Sequence, residues 1–528
     1  MTFTPDTPSR IATLNSSSVP LGGGLSFTGT GESAVKYGTV TVTVISNVDS
    51  APVGVVLEGS PDNTTWRTVW QASYHAGENF ARSTDVVDAF VRVTYNNGGS
   101  PQGSFVLQTL LQVPTGGAQT AQTVQSTEAA LDSFGRLRVS APLNLLEASY
   151  ARGDLNTTQF TSVTAGTGSL TLSATTASAD LSVVTSGDSS TVQTRSRAVY
   201  QPGKSLMVAM TGVPNVAANA VGVASRMGFF DDDDGVYLEH TGDGAAGTLA
   251  FVNRSSKTGT VVNTPVAQAD WNMDRLDGTG PSGLTLDTAS AQIMVVDFEW
   301  LGVGRVRCGF FFKGQLVYAN EALHSNIVTQ PYINTATQPC RYQISSAGGG
   351  GTMRQICCSA TSEGGHNPQG RGFSADTGNS PIAVGGTEIP GMSLRLKSTG
   401  KNFKVQVRFT AAASAISTNG TIAVRLGLYR DIPAATVLTG ASWVSANAQS
   451  AVEYDRTATA FSLTGRILIS TAYLRLNDTW HLPDLAASAD AILTSNVLGL
   501  SDIVVASVIN LSAGSEDIFL SMSWVEEY

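Results

Sequence analysis

The chain has 528 residues, 42% of them hydrophobic and 14% charged, with 54 glycines and a net charge of −10 from 41 acidic against 31 basic residues. At roughly 150 residues per domain this is too long for one core, so three or four domains are expected. Scarce charge with abundant Gly, Ser, Thr, Ala and Val disfavours long amphipathic helices, and no stripe of Lys and Arg would track a phosphate backbone, which excludes nucleic acid as the expected partner.

The first strands alternate with period two: Tyr37–Ile45, Val53–Glu58 and Ala89–Tyr95, each placing one face inward and one outward. Between them Gly59-Ser60-Pro61-Asp62-Asn63-Thr64-Thr65-Trp66 is turn-rich and delivers Trp66 to the next strand, and Asn96-Asn97-Gly98-Gly99 marks a tight reversal. Strands every ten residues or so predict an antiparallel sandwich over residues 1–112. From 113 to 130 the alternation gives way to Gln, Thr, Ala and Gly, the composition of a linker or a stem packed against copies of itself.

A longer region, 131–360, carries Ser169–Leu172, Leu181–Val184, Gln292–Trp300 and Arg305–Phe312, and its size and strand content predict a large jelly roll. Asp297 and Glu299 flank the turn Leu301-Gly302-Val303-Gly304 opposite Arg305 and Arg307, so opposite charges face across a hairpin, with Gly302 and Gly304 supplying positive φ. Residues 361–380 form a second polar, Gly-rich linker. Alternation resumes over 381–528 in Met392–Lys397, Phe403–Phe409, Ile422–Tyr429 and Ile518–Trp524, a third sandwich with Trp524 closing its core. Helix is expected only in short pieces, around 442–449 and 484–490. The fold class is thus all-β: tandem antiparallel β-sandwich and jelly-roll domains joined by Gly/Ser/Thr-rich linkers.

Several stretches of the middle region carry a family likeness: Asp132-Ser133-Phe134-Gly135-Arg136-Leu137-Arg138-Val139, Tyr200–Ser205, Arg226–Asp231, Gly235–Glu239, Trp271–Gly278 and Asp297–Arg307. This pattern, over roughly 130–360, resembles structural proteins of tailed bacteriophages, of tail-fibre, head-fibre or adaptor type. The resemblance implies a virion component whose middle domain is similar to concanavalin-like lectin sandwiches, and it assigns no catalytic residues.

The densest acidic run, Asp231-Asp232-Asp233-Asp234-Gly235, is the candidate calcium site, because Ca²⁺ takes six to eight oxygens, although no EF-hand spacing is present; its competing reading is a solvated hairpin tip. Trp271, with Asp274 and Arg275 in a turn-rich polar stretch, is the candidate glycan contact through ring stacking, whereas most of the other aromatics fall in alternating strands and belong to cores. Cys308, Cys340, Cys357 and Cys358 read as buried small residues, since their spacings with His324 match no zinc motif. GxSxG, HExxH and P-loop patterns are missing, the five histidines are scattered, and surface carboxylates are the default in an acidic chain, so an enzyme is not expected. Arg152-Gly153-Asp154 is read as ordinary loop material.

No uncharged apolar run approaches the roughly 18 residues of a membrane span, and the opening Met1-Thr2-Phe3-Thr4-Pro5-Asp6 lacks a basic region followed by an apolar one. The expectation is therefore a cytoplasmically made virion protein without membrane insertion. It self-associates, as a homotrimer around the 113–130 stem, and contacts other virion proteins and a host surface glycan. A carbohydrate-binding adhesin module and a polysaccharide depolymerase are the alternatives.

Overall fold

The structure is a computed structural model describing residues 9–35, 37–112, 142–151, 153, 155–367, 370–398, 404–416, 420–475, 477–481 and 492–527. The expected stem at 113–130, the motif Asp132–Val139, Arg152, Asp154 and the expected helix at 484–490 lie outside these. The chain is almost wholly β and divides into two compact units, Met1–Ala130 and Leu131–Tyr528.

In the first unit, a four-stranded sheet (Ser9–Ile11, Phe105–Gln112, Thr39–Ser46, Phe80–Asp85) faces a five-stranded one built on Phe90–Asn97 and Ser50–Ser60. The alternation of Thr39–Ser46 places Val40, Val42 and Val44 in the core, against Val55, Leu57, Val93 and Tyr95. Trp66 precedes the strand Arg67–Ala72 and lies under the Arg92 guanidinium, 4.3 Å from its ring centre.

The second unit holds two sandwiches. In the first, an eight-stranded sheet with Gly351–Ser362, Leu206–Val213, Gln292–Phe298, Val306–Phe312 and Gln315–Ala322 at its heart covers a seven-stranded sheet. The latter runs Phe160–Ala165, Ser189–Thr194, Cys340–Ser346, Val223–Phe230, Gly235–Thr241, Thr248–Ser255, Val262–Ala267. One core joins them, from Phe160 and Leu181 to Phe298, Phe310 and Tyr342. The other sandwich pairs two six-stranded sheets around Val407, Leu426, Val504 and Trp524, the last buried as expected.

The second linker is shorter than its composition implies. Arg371–Asp376 is a strand paired with Glu516–Glu527, Phe373 sits opposite Trp524, and Ala375 enters the core, so these residues belong to the last sandwich. Residues 442–449 form no helix; Val444–Ser445 is a strand, and the described α-helix is the single turn Ala434–Val437. The hairpin after Phe298 places Asp297 opposite Arg307, as the charges imply, and the pair is fully buried at 2.6 Å. Its turn differs in detail: Leu301 (φ 37°) and Gly302 (φ 77°) take the left-handed conformation. Gly304 is needed instead for space, since a Cβ there would meet Glu299 O at 2.7 Å.

Candidate functional site

The four aspartates expected at a loop tip lie at the junction of the two sandwiches of the second unit. The chain leaves the strand Val223–Phe230 and re-enters at Gly235, and Asp231 N donates to Asp234 O at 2.9 Å to close the turn. Asp231 Oδ1 caps that turn, accepting from Asp233 N at 2.9 Å and Asp234 N at 3.0 Å. Its other oxygen meets Arg197 at 3.0 Å and Lys404 at 2.9 Å, and Lys404 also reaches Asp233 at 2.9 Å. Lys404 stands just before the strand Gln406–Ile416 of the last sandwich, so one carboxylate binds cations from both sandwiches. Burial alone pushes the Asp231 carboxyl up, but Arg197 and Lys404 outweigh it and hold it well below the usual carboxylate range.

The remaining acids are also engaged. Asp232 pairs with Arg341, which itself donates to Gln193 Oε1 at 2.6 and 2.9 Å. Asp234, wholly buried, accepts from Ser256 N at 3.1 Å, Ser256 Oγ at 3.0 Å and Asn334 N at 2.9 Å. The oxygens proposed for calcium thus face cationic or N–H and O–H donors. Among the described residues no group of three or more His, Cys, Asp or Glu is placed to hold a metal. The run does form a hairpin tip, but a half-buried one: Asp231 is 3% exposed and Asp234 wholly buried, whereas the side chains of Asp232 and Asp233 are 66% and 44% exposed.

A second buried charge cluster crosses the same junction. Arg195 donates to Thr157 O at 2.5 Å, bonds Asp431, and lies 3.5 Å from Asp502. Arg430 lies 3.7 Å from Asp502 and donates to Thr158 O at 2.9 Å. Burial raises the Asp502 carboxyl to about 6 in spite of Arg430 and Arg195, with Thr494 Oγ1 donating to it at 3.0 Å. Arg195 and Thr157 come from the middle sandwich and Asp431, Asp502 and Arg430 from the last, so both clusters can do the same thing chemically: clamp two domains in one orientation.

Trp271 is placed where its neighbours did not point. The ring is 3% exposed and stacks among Phe251 (4.6 Å between centres) and Phe310 (6.5 Å), with Nε1 donating to Val266 O at 3.2 Å. Asp274 is buried too, accepting from Leu276 N at 2.9 Å and Ser282 N at 2.7 Å, and only Arg275 is exposed. These three residues build a loop that caps the core and offer no open ring face to a sugar. Cys308, Cys340 and Cys358 are buried and Cys357 is half-buried, all unpaired by disulfides, while His324 Nδ1 bonds Gly304 O at 2.6 Å. Sequence reasoning missed Arg195, Arg197, Lys404 and Asp502. The one signal for them is unmatched charge in apolar strands or at strand ends.

No curated protein matches the chain. Solved structures align at low similarity. The PBSX exported protein XepA shares 13% identity over 68% of this chain and 89% of its own (TM-score 0.19). A legume lectin-like domain from Entamoeba histolytica shares 9% over 38% and 89% (TM-score 0.23). The binding domain of botulinum neurotoxin DC, in complex with SialylT, shares 9% over 72% and 98% (TM-score 0.26). Scores this low bear on neither fold detail nor function. Residues 9–112, the N-terminal sandwich, match the family described as the uncharacterised protein YqxG N-terminal domain.

Proposed function

We propose that the chain is a structural protein of a tailed-phage particle, fibre-like or head- or tail-associated, that serves assembly and attachment to the host surface and performs no catalysis. One observation carries this reading: the most concentrated acidic run, whose charge a catalyst or metal site would direct at a ligand, is directed at Arg197, Lys404 and Arg341 and locks two sandwiches together. A domain pair held by buried ion pairs transmits orientation and load, which is what an assembly component needs. The resemblance of residues 130–360 to phage structural proteins supports the particle context.

The test is the position of the chain in purified particles, by cryo-electron microscopy with antibody labelling. Density for the tandem sandwiches on head, tail or fibre is the expected result, and particles lacking the chain would overturn the proposal. Sedimentation of the full chain checks the proposed trimer, a monomer at high concentration counting against it. Release of reducing ends from host polysaccharide would refute the non-enzymatic part.

A further inference from the structure

The strand Thr248–Ser255 breaks its own pattern. Leu249 and Phe251 point into the core of the middle sandwich; Asn253 follows on the same face, where an apolar residue is expected, and its buried Oδ1 has no hydrogen-bond partner. Beneath it is a space of about 160 Å³ between the two sheets. The register explains the space: Asn253 pairs with Thr264 and Phe251 with Val266 in one sheet, while Cys308 pairs with Asn320 and Val306 with Ala322 in the other. Short side chains at Thr264, Asn320 and Ala322 leave the sheets unfilled at this edge. Tyr332 and His324, stacked face to face at 3.9 Å, form an aromatic wall. Burial favours the neutral form of His324.

We propose that this inter-sheet cavity binds a small, uncharged aromatic molecule carrying one hydrogen-bond donor, of the size and polarity of phenol. The volume decides the size, being close to the roughly 150 Å³ of an apolar protein cavity known to accept benzene. The lining decides the charge, because it contains no Asp, Glu, Lys or Arg to pair with an ionic ligand. Asn253 decides the donor: a turn of its amide toward the space would bring Oδ1, buried and without a hydrogen-bond partner, to an O–H or N–H delivered on the ligand. Phe251, Tyr332 and His324 supply ring faces for an aromatic body.

Calorimetric titration of the full chain with phenol, benzene and benzoate tests this. Phenol is expected to bind saturably, benzene roughly tenfold more weakly for want of the hydrogen bond, and benzoate not at all. Asn253→Leu, which keeps the branching at Cγ and removes both polar atoms, should remove the preference of phenol over benzene. Ala322→Phe should fill the space and abolish both, with the circular dichroism melt confirming the fold. Absence of phenol binding below concentrations that unfold the protein overturns the proposal. An unchanged phenol preference in Asn253→Leu does so equally, and this variant decides the matter should Ala322→Phe fail to fold.

Discussion

Replacing Asp231 by Asn tests the junction most directly, because the amide keeps Oδ1 as the acceptor that caps the Asp231–Asp234 turn and removes only the charge. Arg197 and Lys404, about 9% and 5% exposed, would then lie buried beside a neutral partner. Arg197 retains Thr337 O at 3.3 Å, and Lys404 retains Asp233, whose side chain is 44% exposed and so compensates weakly. Removing one member of a buried ion pair costs about 3–5 kcal/mol, much of it the penalty of the stranded cations. For domains of this size that lowers the melting temperature by roughly 6–20 °C. Scanning calorimetry of the wild type is expected to show the two sandwiches of the second unit unfolding together, and of Asp231→Asn to show an earlier, separate transition for one of them. A loss below about 1 kcal/mol with no change in the number of transitions would refute the claim that these charges couple the domains.

The pH dependence of the second cluster has the opposite sign from ordinary acid denaturation. Asp502 is raised from 3.8 to about 6 in the folded chain, so between those values the native state binds more protons than the unfolded one. Its contribution to stability is present below pH 3.8 and is lost as pH rises through 6. Comparing Asp502→Asn with wild type by denaturant melts should show wild type gaining about 2 kcal/mol relative to the variant between pH 7 and pH 4; a pH-independent difference would contradict the assignment. Trp271→Ala should cost about 3–5 kcal/mol in urea melts, because it empties a core position beside Phe251 and Phe310, and a near-neutral result would mean the ring is not buried. Burial raises the Cys308 thiol, and a hydrogen bond with Cys340 together with burial raises that of Cys358, so alkylation of the native chain should modify half-buried Cys357 first and the other three only on unfolding, as read by mass spectrometry.

The strands were legible because period-two alternation has a local cause: Thr39–Ser46 and Gln406–Ile416 bury every second residue as their sequences imply. Even the Asp297–Arg307 pairing could be anticipated, since a short hairpin fixes its own register. The acidic run could not. Its partners Arg197 and Lys404 stand 34 and 173 residues away, and nothing in the run distinguishes a solvated tip from a buried clamp. Trp271 was misplaced for a related reason. Asp270, Asn272 and Arg275 are exposed around it, so the composition of the loop is polar, yet a loop crossing the end of a sandwich turns one side chain inward to close the core. Arg371–Asp376 was missed because an edge strand needs few apolar residues, and Phe373 and Ala375 suffice.

That the junction is built from ions has a consequence for how the second unit works. An apolar seam between sandwiches of this size would hold them together as well or better, because buried ion pairs recover little more than their desolvation. What charges add is intolerance of displacement. A leucine face slides by an ångström at small cost, whereas Lys404 moved by that amount loses both Asp231 and Asp233, and Arg195 loses Asp431 and Asp502 together. Two such clusters, anchored at Asp231 and at Asp502, resist rotation as well as translation, since each blocks motion about the other. The two sandwiches are thereby held at a fixed angle, and on the function proposed above a particle component whose partners or receptor must be met in one geometry needs that property more than it needs the last few kcal/mol of stability.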